Sequence, residues 1–286
     1  YGSFHGRTLG ALAATGQPGK HEPFRPLPGG FRHVAWDDLG ALEAAIDPTV
    51  AAVLLEPVLG EGGVRVPSPS YLEGVRRLCD ERGLLLMVDE IQTGLGRTGA
   101  WWGFQHDGVV PDVVTIAKAL GNGMPIGACW ARAEVAAAFR PGDHGSTFGG
   151  QPLAASAARA TLAVMEAEDV PARAARAGAR LRAGLEGAPG VAEVRGRGLL
   201  LGVVVAPAAA PPEVGAPAGR GAPGEPARVA AALALERGLV VNAVADDVVR
   251  LAPSLLVTDD EVDEGVAILR GVVADAAELT GARNGP

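Results

Sequence analysis

The sequence predicts an α/β protein with a mostly parallel central sheet, followed by a smaller α+β domain. Three short apolar runs, 50–56, 84–89 and 113–117, have the length and composition of buried strands. A helical pattern at 69–82 separates the first two runs, and such alternation is typical of parallel sheets. After residue 190 the pattern changes to short strands and one closing helix, which indicates a second domain.

The helix at 69–82 is predicted from the apolar stripe of Leu72, Val75 and Cys79, and Gly83 is its expected stop. Further elements are predicted in chain order: helices at 153–168 and 172–185, strands near 191–195, 199–205, 239–242 and 248–252, and a helix from about 260 to 279.

We expect a larger domain over residues 1–175 and a smaller one over 176–286. The Ala/Pro/Gly-rich segment 206–226 is interpreted as a flexible insertion in the smaller domain, because it has few side chains to bury. The chain begins at Tyr1 without an initiator Met, which favours a fragment whose start lies upstream.

Composition disfavours several classes of function. A formal net charge of −8 opposes binding to nucleic acid or to anionic lipid. The sequence contains no stretch of 18 consecutive apolar residues, so no membrane-spanning helix is predicted. Cys79 and Cys129 form neither a disulfide framework nor a metal-ligand spacing, and the histidines show no zinc motif, so we expect a metal-free protein of the cytoplasm.

The strongest chemical signal is LLLMVDEIQTGLGRTG (84–99), an apolar strand that ends in Asp89 and Glu90 before a glycine-rich loop. Magnesium binding as in a P-loop enzyme is disfavoured, because no GxxxxGK[ST] motif accompanies the strand. Residues 94–99 match the dinucleotide pattern GxGxxG, but the loop does not directly follow the strand. A third interpretation makes Asp89 the partner of a bound heterocycle.

A second signal, VVTIAKALGNGMPIGA (113–128), places Lys118 after another predicted strand. We expect this lysine to be shielded from water, and desolvation favours the neutral amine that condenses with an aldehyde. A lysine that merely ends a strand is the more frequent case when it stands alone. An acid on the neighbouring strand favours pyridoxal 5′-phosphate, which needs a lysine for its aldehyde and a carboxylate for its pyridine nitrogen.

Five blocks together resemble the class III, fold-type I aminotransferases, and within them most closely the acetylornithine aminotransferases. The blocks are SFHGRT (3–8), LLEPVLGEGG (54–63), VDEIQTGLGRTG (88–99), IAKALGNGMPIGA (116–128) and HGSTFGGQPLA (144–154), and the resemblance continues at 248–263. It implies transfer of the terminal amine of N-acetylornithine to 2-oxoglutarate, a step of arginine biosynthesis that gives N-acetylglutamate semialdehyde and glutamate. It also implies pyridoxal 5′-phosphate as cofactor and a homodimer with shared active sites.

The resemblance also implies a role for each matching residue. Lys118 and Asp89 are the implied catalytic pair, the lysine bound to the cofactor and then moving a proton, the aspartate paired with the pyridine nitrogen. Further implied contacts are Phe4 and Gln92 to the cofactor ring, Thr147 to its phosphate from the neighbouring subunit, and Arg7, Ser146, Glu61 and Arg250 to substrate. Glu61 is expected to neutralise Arg250 for one half-reaction and to release it for 2-oxoglutarate.

Departures from the family pattern leave alternatives open. Leu59 and Gln151 replace the more usual Gln and Asn, and the family's upstream third, with its phosphate-cupping loop, does not precede Tyr1 in this sequence. The alternatives are another ω-aminotransferase, acting on ornithine, succinylornithine or 4-aminobutyrate, a NAD-dependent dehydrogenase built on residues 94–99, and an inactive fragment.

Overall fold

The computed structural model describes residues 1–206 and 225–282. The chain divides into two compact units, the first made of Tyr1–Gly60 and Pro67–Pro171, and the second of Glu61–Val66 and Ala172–Pro286. A six-residue segment inside the first unit's stretch of chain is therefore counted with the second unit. The assignment of a larger domain to 1–175 and a smaller one to 176–286 stays a prediction.

The first unit is built on a mostly parallel four-stranded sheet, which confirms the predicted fold class. Its strands are β1 (Ala52–Leu55), β2 (Leu85–Asp89), β3 (Val113–Ile116) and β4 (Ala128–Ala131), and they lie side by side in that order. The first three are parallel, and β4 runs antiparallel to β3. The carboxyl ends of β1, β2 and β3 therefore meet at one edge of the sheet.

Helices precede, connect and follow these strands. They are α1 (Leu9–Ala14), α2 (Leu39–Ala45), α3 (Tyr71–Arg82), α4 (Ala133–Ala136) and α5 (Pro152–Ala167). Helix α3 joins β1 to β2 and buries Leu72, Val75 and Cys79 against the core residues Leu86 and Val88. It ends where predicted, because Gly83 adopts a left-handed φ of 66° and donates its N–H to the carbonyl of Asp80.

The second unit contains a four-stranded antiparallel sheet covered by helices. Its strands are β5 (Val191–Arg197), β6 (Leu200–Val205), β7 (Asn242–Ala243) and β8 (Val248–Leu251), in the spatial order β5-β6-β8-β7. Its helices are α6 (Val170–Leu185), which begins at the end of the first unit, α7 (Pro226–Glu236) and α8 (Asp259–Ala282). Strand β6 is buried along its whole length, and its side chains form part of the hydrophobic core of this unit.

Most predicted elements are confirmed within a few residues, and three elements differ from the prediction. The predicted strand at 239–242 shrinks to Asn242–Ala243. Helix α7 was not predicted, because it directly follows the low-complexity segment and is so uniformly apolar that no polar face marks it. Strand β4 (Ala-Cys-Trp-Ala) was not predicted either, because it is short and directly follows the glycine-containing stretch 121–127. Residues 207–224 of the predicted 206–226 insertion lie outside the described residues. Within the described chain, no helix is long and apolar enough to cross a membrane.

Candidate active site

Asp89 lies at the carboxyl end of β2 and is buried, with 5% of its surface exposed. Its Oδ1 accepts the backbone N–H of Ile91 at 3.0 Å. Its Oδ2 lies 2.8 Å from Nδ1 of His5, and both side chains of this pair are nearly inaccessible. Burying a carboxyl group at a strand end is costly unless it is hydrogen-bonded, and His5 and the backbone of Ile91 supply these partners.

His5 is a site residue that the sequence interpretation missed. Its backbone N–H donates to Oγ1 of Thr15 at 3.0 Å, and the Thr15 hydroxyl in turn donates to the carbonyl of Ala11 at 3.0 Å. Thr15 is fully buried, so this contact fixes the backbone of His5 where its ring can reach Asp89. The pair spans 84 residues of sequence, and no local pattern could indicate it.

Lys118 follows β3, the strand next to β2. In the register of these strands Asp89 is the partner of Thr115, three residues before the lysine. Lys118 starts a one-turn 3₁₀ helix, Lys118–Leu120, with a left-handed φ of 43°. The expectation that its amine is shielded from water is wrong for this chain, since the residue is exposed where it leaves the sheet.

Thr115 itself carries a buried hydroxyl. Its Oγ1 has no hydrogen-bond partner among the described residues. Partnered residues of parallel strands point to the same face of the sheet, so this hydroxyl lies on the side that carries the Asp89 carboxylate. An unsatisfied buried hydroxyl costs stability, which makes this spot suited to a polar ligand.

Phe4 lies next to His5, and two cations approach its ring. The guanidinium carbon of Arg7 lies 5.5 Å from the ring centroid and Nζ of Lys20 lies 5.9 Å from it. Both distances fit cation–π attraction. Arg7 itself is exposed.

Glu56 follows β1 and is the second residue that the sequence interpretation missed. It is 3% exposed, and its two carboxylate oxygens accept the backbone N–H groups of Phe4 at 2.8 Å and Gly60 at 2.9 Å. Gly60 touches Gln92, because a Cβ on Gly60 would lie 2.6 Å from Oε1 of that side chain. Burial raises the pKa of Glu56 to about 7, against the opposing effect of the two N–H donors.

Glu90, beside Asp89 in sequence, has a different set of partners. It is 1% exposed, and it accepts the Thr93 hydroxyl and the backbone N–H of Gly103 on Oε2 and the N–H of Phe104 on Oε1. Burial raises its pKa to about 7, while these hydrogen bonds oppose the shift. Glu90 therefore ties the 93–104 loop to the end of β2.

The glycine-rich loop at 94–99 does not have the geometry of a dinucleotide fingerprint. It runs as consecutive turns and does not open a helix, as the fingerprint requires. Within the described part of the chain, no group of three or more His, Cys, Asp or Glu side chains could hold a metal ion. The structure thus gives no support to the dehydrogenase interpretation.

Ser146 and Thr147 lie in an exposed stretch, since every residue from 141 to 150 is exposed. In the described part of the chain, neither hydroxyl forms a hydrogen bond with Asp89. Large apolar side chains beside them are also exposed: Phe139 at 71%, Phe148 at 75% and Leu153 at 68%. So much exposed apolar surface in one stretch is typical of a face that another chain covers.

In the second unit, the structure brings Glu61 and Arg250 together although they lie 189 residues apart in sequence. Nη1 of Arg250 donates to Oε1 of Glu61 at 2.5 Å, and 14% of the arginine side chain and 30% of the glutamate side chain are exposed. Arg250 is held by β8, and a neighbouring arginine, Arg195, donates twice to the carbonyl of Gly63. The segment that carries Glu61 is therefore anchored to this unit at two points.

Comparison with known proteins decides the family. The sequence profile of the family described as Aminotransferase class-III matches residues 1–273. The chain belongs to the class III aminotransferases. The acetylornithine aminotransferase of Mycolicibacterium smegmatis is 48% identical over 279 residues, which cover 97% of this chain and 67% of the relative. That of Mycobacterium tuberculosis is 49% identical over 273 residues, covering 95% and 64%.

Solved structures of the family share the fold. The ornithine aminotransferase from Toxoplasma gondii matches with a TM-score of 0.85 at 37% identity, over 96% of this chain and 64% of that one. The N-acetylornithine aminotransferase from Stenotrophomonas maltophilia matches with a TM-score of 0.72 at 40% identity, over 87% and 63%. The chain thus spans about two thirds of the length of these relatives, and its fold is that of fold-type I aminotransferases.

Pyridoxal 5′-phosphate, the cofactor of class III aminotransferases, fits the residues at this edge of the sheet. Asp89 offers a buried carboxylate to a protonated ring nitrogen, and the unsatisfied Thr115 hydroxyl lies on the same face. Lys118, which follows the neighbouring strand β3, would offer an amine to the aldehyde. Phe4 and Gln92 would supply an aromatic face and an amide for the ring.

Proposed function

We propose that this chain carries the transamination chemistry of an acetylornithine aminotransferase. The amino group would pass from the terminal carbon of N-acetylornithine to 2-oxoglutarate, giving N-acetylglutamate semialdehyde and glutamate. The observation that supports this best is the placement of Asp89 and Lys118 after neighbouring parallel strands, in a chain 48% identical to a relative of that name. The proposal is tested by comparing N-acetylornithine with the other ω-amino donors.

Pyridoxal 5′-phosphate, when bound, supplies an electron sink for the carbon that bears the substrate amine. Asp89 keeps the positive charge of the ring nitrogen in place, and His5 holds the Asp89 carboxylate at 2.8 Å in the correct orientation. Nζ of Lys118 would act as the base that takes the proton from the amine-bearing carbon of the substrate, and as the acid that delivers this proton to the carbon of the former cofactor aldehyde. Its exposed position leaves the amine accessible to substrate.

Two arginines are proposed to select the substrates. Arg7 is exposed and is assigned to a substrate carboxylate, which a guanidinium matches with two parallel hydrogen bonds. Arg250 is neutralised by Glu61 at 2.5 Å. We assign Arg250 to the second carboxylate of 2-oxoglutarate, which would replace the Glu61 carboxylate. An amino donor with one carboxylate leaves the Glu61–Arg250 pair intact, so the pair would have a different state in each half-reaction.

The proposal includes a homodimer in the cytoplasm. The exposed hydroxyls of Ser146 and Thr147 and the exposed rings of Phe139 and Phe148 support an interface in which one chain completes the other's site. Thr147 is then assigned to the cofactor phosphate and Ser146 to substrate. Cys79 and Cys129 are both free thiols, as is usual in a reducing compartment.

The test of the proposed chemistry uses the fact that Lys20 and Lys118 are the chain's two lysines. The protein is incubated with pyridoxal 5′-phosphate, reduced with borohydride and digested, and the labelled peptide is identified by mass spectrometry. We expect the label on Lys118. Lys118→Arg should lose it, whereas the matched variant Lys20→Arg should keep it. Labelling confined to Lys20 or to the terminal amine would refute the assignment.

The substrate is then tested by single-turnover conversion of the loaded protein with N-acetylornithine, ornithine, succinylornithine and 4-aminobutyrate. We expect N-acetylornithine to react fastest. Faster turnover of another donor would overturn the substrate proposal while leaving the aminotransferase assignment intact.

A further inference from the structure

Glu56 connects three parts of the candidate site although no role has been assigned to it above. Its Oε1 accepts the N–H of Phe4, and its Oε2 accepts the N–H of Gly60. Phe4 carries the ring assigned to the cofactor and precedes His5, the partner of Asp89. Gly60 lies so close to the side chain of Gln92 that a Cβ added to it would be 2.6 Å from Oε1 of that glutamine. One buried carboxylate therefore holds the backbone behind each of these residues.

We propose that Glu56 is a positioning residue for the cofactor site and that its ionised form does the positioning. Both carboxylate oxygens are needed as acceptors, since each receives one backbone N–H. A protonated carboxyl would turn one of these oxygens into an O–H group beside an N–H donor and weaken that contact. The inference rests on the proposed function, because the positioned residues are those assigned to pyridoxal 5′-phosphate.

The surroundings of Glu56 make its ionisation sensitive to pH. Burial raises its pKa to about 7, and the two charged groups that act on it are His5, which lowers the pKa, and Asp89, which raises it. The carboxyl therefore changes between its two forms near neutral pH. We expect the positioning to strengthen as pH rises through 7 and to weaken as pH falls below it, which links cofactor affinity to the charge on Glu56.

The experiment compares Glu56→Gln with Glu90→Gln. Both residues are buried carboxyls with a pKa near 7, and both accept two backbone N–H groups, but the partners of Glu90 are Thr93, Gly103 and Phe104, none of which is assigned to the cofactor. A glutamine keeps the shape and has one acceptor oxygen instead of two. Glu90→Gln is therefore a matched control for the cost of altering a buried carboxyl.

The dissociation constant of pyridoxal 5′-phosphate is measured by tryptophan fluorescence at pH 6, 7 and 8 for the full chain and both variants. At pH 8 we expect Glu56→Gln to bind the cofactor on the order of tenfold more weakly than wild type, since misplacement of a supporting residue has effects of that size. The affinity ratio of wild type to Glu56→Gln should rise with pH, whereas the ratio of wild type to Glu90→Gln should stay flat.

Hydrogen exchange of the cofactor-free chain gives a second readout. Glu56→Gln should speed exchange at the amides of Phe4 and Gly60, and Glu90→Gln at those of Gly103 and Phe104. Should Glu56→Gln not fold, Glu56→Asp keeps the charge but is too short to reach both donors, and it should weaken cofactor binding at every pH.

The inference is overturned if Glu56→Gln and Glu90→Gln have the same cofactor affinity and the same pH profile, or if Glu56→Asp binds as wild type does. This failure is distinguishable from failure of the proposed function. Borohydride labelling of Lys118 would remain in the first case and be lost in the second.

Discussion

Glu90→Gln should change how the free energy of unfolding depends on pH. Glu90 is 1% exposed, and burial raises its pKa from 4.5 to about 7. Because the folded pKa lies above the unfolded one, the folded chain holds the extra proton between these values, and stability is lost as pH rises from about 4.5 to about 7. At 1.36 kcal/mol per pKa unit, the full loss is about 3 kcal/mol. Glutamine does not titrate and removes this loss.

The assay is urea unfolding followed by tryptophan fluorescence at intervals from pH 5 to pH 8. Glu90→Gln should be the less stable protein at pH 5, because its amide leaves one buried N–H without an acceptor, at a cost of about 1–3 kcal/mol. Relative to wild type, the variant should then gain about 2–3 kcal/mol by pH 8. Glu73→Gln, on the exposed face of α3, is the control and should show no such gain. Parallel stability curves for Glu90→Gln and wild type would refute the reasoning.

Two further predictions concern packing and assembly. Gly178→Ala in α6 should destabilise the chain by about 1–3 kcal/mol in urea unfolding, because the added Cβ would lie 2.1 Å from the carbonyl oxygen of Gly198. The control is Gly265→Ala in α8, which has open space around it and should stabilise the chain by up to about 1 kcal/mol. Equal effects of the two substitutions would contradict the packing argument. Phe148→Asp should shift the proposed dimer to a monomer in sedimentation velocity and weaken cofactor binding, because the Phe148 ring is 75% exposed and is assigned to the interface. An unchanged sedimentation coefficient would count against the proposed interface.

The sheet of the first unit could be predicted because its parallel strands are continuous apolar runs. Buried strands of this kind exclude polar residues, so their ends are visible as the first charged side chains, Asp89 as the last residue of β2 and Glu56 directly after β1. Strand β4 was not predicted because it is a short run, Ala-Cys-Trp-Ala, directly after a glycine-containing loop. Helix α7 was not predicted because it is almost uniformly apolar, so no polar face distinguishes its buried side.

The sequence predicted only those residues of the candidate site that lie at or just after the end of a strand. Asp89 and Lys118 follow neighbouring strands, and parallel pairing alone brings them to one edge of the sheet. His5 depends on a partner 84 residues away and has no local signal, and Glu56 depends on a partner 52 residues away. Glu56 follows an apolar run as Asp89 does, and this shared position was the one feature that could have indicated it.

The segment Glu61–Val66 has a consequence for the order in which the chain folds. It leaves the ribosome between β1 and α3, yet Arg250, which binds Glu61, is made 189 residues later. At about 5–20 residues per second, that interval lasts roughly 10–40 s. The nascent chain therefore carries this short stretch without its Arg250 contact until translation is almost finished, and a polypeptide released at residue 171 would never form that contact.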